Sequence, residues 1–229
     1  MKNSKLKQAF VSTIPVMTGY LVLGFGFGVL LHNAGYGPVW ALFMSITMYA
    51  GTMQYVAVSL LSGGAALVTT ALTTLMVNAR HLFYGISLMD QYKDLGRCRP
   101  YLMFALTDET YSLLCTPPSS VQDNLKSYYF WVSLLNHIYW ITGCVLGAVA
   151  GMVLPFNSEG IEFVLTARFI SIATEQWLTA KTHVPVLIGI GATALSLVLF
   201  GRTHLLMPAM AMIAGGLLLW RKRGEEAAQ

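Results

Sequence analysis

The sequence predicts an all-α, polytopic transmembrane helix bundle of about seven or eight membrane segments, forming a single membrane domain over residues 1–229. Three observations carry this expectation. Apolar residues make up 55% of the chain and charged residues only 10%, whereas a water-soluble domain needs about 25% charged residues to wet its surface. The apolar runs are about 20 residues long, the length that crosses hydrocarbon as a helix. They also lack the two-residue alternation of a barrel strand, and a backbone in lipid must satisfy its own hydrogen bonds.

The first segment, Phe10–Leu31, follows Lys2, Lys5 and Lys7. It is too long for a signal-peptide core and no A-x-A site follows, so it is expected to stay as the first span. Pro15 with Gly19, Gly24, Gly26 and Gly28 predicts a bent or broken helix there. The second segment, Val39–Leu61, holds Gly51 one turn before Gln54. A break at Gly51 would expose a helix N-terminus, with its positive dipole, to an anionic group; the bland alternative for Gln54 is an amide bond between helices.

The third segment, Ala65–Met89, places Thr70, Thr74, Asn78, His81 and Gly85 on one helical face, with Arg80 beside them. The stripe either lines a cavity or merely packs while Arg80 snorkels. Arg80 lies about ten residues, or ~15 Å, from the segment's end, which is far for snorkelling and favours the cavity. The fourth segment, Tyr101–Cys115, is short and carries Asp108 and Glu109. Two carboxylates cannot both face lipid, at ~2.5–3.5 kcal/mol each. They either pair with Arg80 or His81 and carry protons, or sit wetted at a loop edge.

The fifth segment, Tyr128–Leu154, has Gly143, Gly147 and Gly151 on one face. Small residues at four-residue spacing let two helices approach closely in lipid, either within the chain or at a partner subunit. Asn136 and His137 read as helix-to-helix glue. The sixth segment, Glu162–Ala180, has Arg168, Ser171, Glu175 and Thr179 on one stripe and is expected to be structural. Val184–Phe200 and Leu205–Trp220 complete the set, followed by Arg221, Lys222 and Arg223.

Positive charge at both ends predicts that both termini are cytoplasmic. Eight full crossings would then put Lys93, Arg97 and Arg99 outside, against the same tendency; otherwise one segment dips in without crossing. The net charge of +4 sits at these flanks and is no nucleic-acid signal. Cys98, Cys115 and Cys144 are scattered, without metal-ligand spacing. No nucleotide loop, nucleophile elbow or zinc motif occurs, so no cofactor is expected.

Three runs in order, Ala50-Gly51-Thr52-Met53-Gln54-Tyr55, Asn78-Ala79-Arg80-His81 and Leu106-Thr107-Asp108-Glu109-Thr110-Tyr111, resemble the AzlC (YgaZ-type) family. Phe163–Ala167 and Glu175-Gln176-Trp177 are similar to it as well. The resemblance implies a large subunit of a bacterial branched-chain amino-acid exporter for L-valine and relatives, in the cell (inner) membrane, with a small AzlD (YgaH-type) membrane subunit as partner. It is not an enzyme on this reading. Taken with the residues, Gly51, Gln54, Asn78, Arg80, Asp108 and Glu109 are the substrate-binding candidates, and His81, Asp108 and Glu109 the proton-coupling candidates. The rival functions are a membrane enzyme using His81 with Asp108 or Glu109, and a non-transporting scaffold or channel subunit.

Overall fold

The computed structural model describes residues 2–88, 91–115, 117, 118, 121, 125–153, 182–201 and 205–226, with positions 163, 166, 167, 170, 174, 177 and 178 between. Within these residues the regular structure is helical and no strand occurs. Arg168, Ser171, Glu175, Gln176 and Thr179 lie outside the described residues. The chain divides into two compact units, Met1–Thr166 and Ala167–Gln229.

The first unit is built on two long helices, α1 (Lys2–Asn33) and α7 (Leu125–Val153). Among the described residues these are the two helices long and apolar enough to cross a bilayer by themselves. They run parallel, because Tyr20 and Leu21 face Gly143, Phe25 faces Gly147, and His32 faces Gly151. Glycines make this contact backbone to backbone. A Cβ at Gly143 would lie 2.9 Å from the carbonyl oxygens of Tyr20 and Leu21, and one at Gly24 would lie 2.9 Å from the Cys144 nitrogen. At Gly147 a Cβ would drive into the Phe25 carbonyl, and at Gly28 into the Cys144 carbonyl. The ladder is therefore spent inside the chain. Of the bent or broken helix that the sequence predicts, the break does not occur: α1 is continuous through Pro15, and Gly24 and Gly28 serve packing.

The second apolar segment is two half-helices, α2 (Pro38–Thr47) and α3 (Gly51–Ser62). Tyr49 turns the chain with φ +24°, and Ala50 follows with φ −135° and ψ +87°. The pair doubles back on itself. Pro38 lies five residues past the end of α1. At the other end, Ser59 and Ser62 line a groove of about 520 Å³ together with Leu30, Asn33 and Ala34 at that same end of α1. Tyr55, further in, donates to the Leu23 carbonyl at 2.6 Å. The α2–α3 hairpin thus enters beside the C-terminus of α1, turns at Tyr49, and returns.

After α4 (Leu67–Ser87) and a 3-10 helix (Lys93–Cys98), a second pair mirrors this path: α5 (Arg99–Phe104) and α6 (Asp108–Cys115). Leu102 of α5 and Leu114 of α6 share one core cluster with Ala9, Tyr128 and Tyr129. Those last three belong to the N-terminal parts of α1 and α7, so both ends of this hairpin lie at that end. Its tip, by contrast, reaches the opposite cluster through Ala105. Thr107 caps α6 by accepting from the Thr110 N–H at 3.3 Å. Asp108 and Glu109 occupy the first turn, where negative charge complements the helix dipole.

In the second unit, helix Val184–Phe200 ends at Gly201, whose φ of +69° turns the chain toward helix Leu206–Glu226. Ser196 donates across the turn to the Leu205 carbonyl at 2.9 Å. Large apolar side chains such as Leu67, Val39 and Val198 are more than three-quarters exposed. Such side chains suit a lipid-facing surface.

Candidate functional site

The tips of the two hairpins meet midway along α1 and α7. Tyr49 from one tip and Phe104 from the other have ring centroids 6.4 Å apart. His137 of α7 stacks on Tyr49 at 4.2 Å and lies 6.0 Å from Phe104. Its Nε2 sits 3.1 Å from the Ser45 carbonyl, and its Nδ1 3.3 Å from the Tyr101 hydroxyl. This histidine therefore ties α2 to α5, the structural role its sequence context predicts. Both returning half-helices, α3 and α6, begin at this meeting point. Two helix N-termini, each with positive partial charge, are thereby brought to the centre of the unit from opposite ends.

Around the α3 terminus, Gly51 is required by Trp140, whose ring carbon a Cβ would approach to 2.9 Å. Gln54 is fully buried one turn on. Its Oε1 accepts from Trp140 Nε1 at 2.6 Å, while its Nε2 is buried and has no hydrogen-bond partner among the described residues. An unmade buried hydrogen bond costs about 1–3 kcal/mol, so an orphan donor at a helix N-terminus points to an acceptor that comes and goes.

Around the α6 terminus runs a chain of hydroxyls. Tyr20 of α1 donates to Glu109 Oε2 at 2.8 Å and lies 2.6 Å from Thr107 Oγ1. Thr107 and Thr110 hydroxyls are 3.0 Å apart. Asn136 of α7 donates from Nδ2 to Thr110 Oγ1 at 3.0 Å, and its Oδ1 has no partner among the described residues. The Tyr49 hydroxyl is buried beside Tyr20, Thr110 and Glu109. The two termini are joined through Tyr20, whose ring meets Trp140 edge-on at 5.5 Å.

Of the residues chosen from sequence, Gly51, Gln54, Asp108 and Glu109 come to this locus. Asn78 and His81 lie on α4, where His81 Nδ1 sits 3.3 Å from the Asn78 carbonyl. The Thr70 and Thr74 hydroxyls of the same stripe bond back to Ala66 and Thr70 carbonyls, so part of the stripe is satisfied by its own helix. Helix α4 reaches α6 one turn beyond Arg80, where Tyr84 stacks on Tyr111 at 4.7 Å. The Arg80 side chain itself lies outside the described residues. Tyr20, Tyr49, Asn136 and Trp140 join the site without having been chosen; a tyrosine or tryptophan within an apolar run carries no sequence signal separating it from core.

The profile of the AzlC protein family matches residues 15–154, a range that takes in both hairpins and most of α1 and α7. The branched-chain amino acid transport protein AzlC of Bacillus subtilis is 41% identical over 221 residues, covering 96% of this chain and 87% of that protein. An uncharacterized membrane protein of Helicobacter pylori is also 41% identical, with 96% of each chain covered. The inner membrane protein YgaZ of Escherichia coli is 29% identical over 69% of this chain and 68% of its own length. No solved structure matches the chain.

Proposed function

This chain belongs to the AzlC protein family, and on that premise we propose that it exports branched-chain amino acids such as L-valine across the bacterial inner membrane. Export is coupled to a proton gradient and involves a small AzlD (YgaH-type) membrane subunit. The observation that carries the reading is the meeting of two half-helix N-termini at a buried locus holding an orphan amide donor and a carboxylate. Discontinuous helices of this kind hold substrates in transporters, with the positive termini toward anionic groups.

An amino acid brings one carboxylate and one ammonium, and the locus has a place for each. The carboxylate faces the first-turn N–H groups of α3, exposed at Gly51, and the Gln54 Nε2. The ammonium faces Glu109 and Asp108 at the head of α6. Met53, nearly fully buried on α3, offers apolar surface to a branched side chain. With Gln54 fully buried and Met53 nearly so, the tips must part toward one side and then the other for substrate to pass.

The test is efflux of radiolabelled L-valine from vesicles containing this chain with or without the small subunit. Efflux driven by a pH gradient and enhanced by the second subunit supports the proposal. Valine that stays inside under every gradient contradicts it. Full efflux from this chain alone contradicts the partner.

A further inference from the structure

Helix α7 carries polar side chains down one buried face. Tyr129, Ser133, Asn136 and Trp140 follow one another at steps of four, three and four residues, which sets them on a single stripe. Each is at most 2% exposed. A buried polar atom without a partner costs about 1–3 kcal/mol, yet Ser133 Oγ and Asn136 Oδ1 are both buried with no partner among the described residues. Two more such atoms lie toward the same end of the unit. One is the Tyr92 hydroxyl, whose ring is 6.1 Å from that of Tyr129. The other is Gln8 Oε1 on α1, which the parallel register of Tyr20 against Gly143 sets within one turn of the level of Ser133.

The spacing of the stripe says what could satisfy these atoms. Its steps measure about 4.5–6 Å along the helix. One bridging water spans about 5.6 Å, the length of two hydrogen bonds of ~2.8 Å. Ordered waters are the usual partners of buried polar groups of this kind. The two ends of the stripe differ. At its mouth the Tyr129 hydroxyl donates to Gln91 Oε1 at 3.0 Å, and Gln91 is exposed. At its deep end Asn136 Nδ2 donates to Thr110 Oγ1 at 3.0 Å, and Thr110 follows Glu109 at the head of α6. Leu102, Leu114 and Val132, all fully buried, pack in the same cluster as Tyr129. A stripe so enclosed suits single waters rather than an amino acid.

We propose that this face of α7 holds a single file of waters that carries protons between Glu109 and the cytoplasmic side. The proposal rests on the proton-coupled transport reading and gives its proton a route. The cytoplasmic side is the one where α1 begins, with Lys5 and Lys7. Each water takes a proton from the neighbour behind it and passes one of its own to the neighbour ahead. One proton therefore leaves the Glu109 carboxyl, one reaches bulk water, and no water need travel. Ser133 and Asn136 do not titrate; they are positioning residues that hold the waters in line. The titratable groups facing the deep end are Asp108 beside Glu109, Tyr20 from α1 and Tyr49 from the α2–α3 tip. Tyr92, Tyr129 and Cys115 stand together at the mouth. His137 of α7 and Tyr101 of α5 lie beyond Tyr49, and the Arg80 side chain from α4 is outside the described residues.

The test replaces Ser133 by an isosteric pair: Ser133→Thr keeps the hydroxyl and Ser133→Val puts a methyl where it stood. In vesicles, valine exchange at equal pH on both sides needs no net proton movement, whereas efflux driven by a pH gradient does. Ser133→Val should exchange valine like the wild type yet lose proton-driven efflux roughly tenfold or more, as removal of one hydrogen bond to a passing charge does. Ser133→Thr should keep both. Tyr129→Phe, which removes the hydroxyl at the mouth without adding volume, should behave like Ser133→Val and replaces it if that variant does not insert. Wild-type proton-driven efflux in these variants, or loss of exchange together with efflux, would overturn the file while leaving valine transport standing. A second readout needs no transport. Infrared spectra of the purified chain, carrying isotope-labelled asparagine and moved into deuterated water, follow exchange of the Asn136 side-chain amide, identified by its absence from Asn136→Ala. That exchange should be roughly tenfold or more faster in the wild type than in Ser133→Val or Tyr129→Phe. With this contrast present and no valine moved under any gradient, the file stands and the transport reading falls; with Asn136 exchanging equally in all of them, the file is wrong.

Discussion

Trp140 Nε1 donates to Gln54 Oε1 across 2.6 Å, and because an indole N–H can only donate, this one bond decides which end of the Gln54 amide is left over. The end left over is Nε2, buried at the first turn of α3. Trp140 therefore acts on the site twice, through this bond and through the ring edge that requires a glycine at position 51.

If Nε2 meets the substrate carboxylate, Gln54→Leu removes a hydrogen bond to a charged group worth about 1.5–3 kcal/mol. The half-saturating valine concentration should then rise roughly ten- to hundredfold, by the same free-energy arithmetic. Trp140→Phe keeps an aromatic ring against Gly51 but frees the amide to turn over, and should weaken binding by a smaller factor. Saturation curves for valine counterflow check both. Unchanged curves in Gln54→Leu would remove the amide from the site.

The glycine contacts predict a sharp contrast along one helix. A methyl added at Gly147 meets the Phe25 carbonyl and one at Gly28 meets the Cys144 carbonyl, whereas one at Gly19 meets nothing within 4 Å. Gly147→Ala and Gly28→Ala should each cost about 1–3 kcal/mol, as overpacking does, and lower the melting temperature in detergent. Gly19→Ala on the same α1 should leave it unchanged or raise it slightly. Equal melting of all three variants would mean that α1 and α7 do not touch through their backbones.

Topology gives a third expectation. With the N-terminus in the cytoplasm, α1 crosses, the α2–α3 hairpin returns to the far side, and α4 brings the chain back. Lys93, Arg97 and Arg99 then fall on the cytoplasmic side, in keeping with the positive-inside tendency. In a chain with Cys115 and Cys144 replaced, an impermeant thiol reagent should label Cys98 from the cytoplasm only. With Cys98 replaced too, Ser59→Cys in the groove beside Asn33 should label from outside. Labelling of Cys98 from outside would mean that the second segment crosses after all.

Part of the candidate site was legible in the sequence, and little of the path that builds it. Gly51 and Gln54 stood out because a glycine and an amide are expensive inside an apolar run, and Asp108 with Glu109 because carboxylates are dearer still. The glycine ladder was legible as a close contact, though its partner, α1, was not. Re-entrance was hidden by length: Val39–Leu61 is long enough for one span, and the same residues serve equally as a 10-residue and a 12-residue half-helix joined at Tyr49. Tyr20, Tyr49 and Trp140 were hidden by type, since an aromatic ring in lipid or in a core looks the same until its polar atom finds a partner. The expected break in α1 failed because its glycines answer to Gly143 and Gly147 rather than to the local backbone.

The most direct measurement is efflux of L-valine against a set pH gradient from vesicles bearing wild type, Arg80→Ala, Asp108→Asn or Glu109→Gln, beside a control for membrane insertion. A site built from the head of α6 predicts that Glu109→Gln inserts normally yet loses proton-driven efflux. Arg80→Ala should lose efflux as well, and removing one partner of a buried charge pair costs about 3–5 kcal/mol. Wild-type efflux by all three variants at every pH would contradict it, and would return Asp108 and Glu109 to the role of a solvated loop-edge pair.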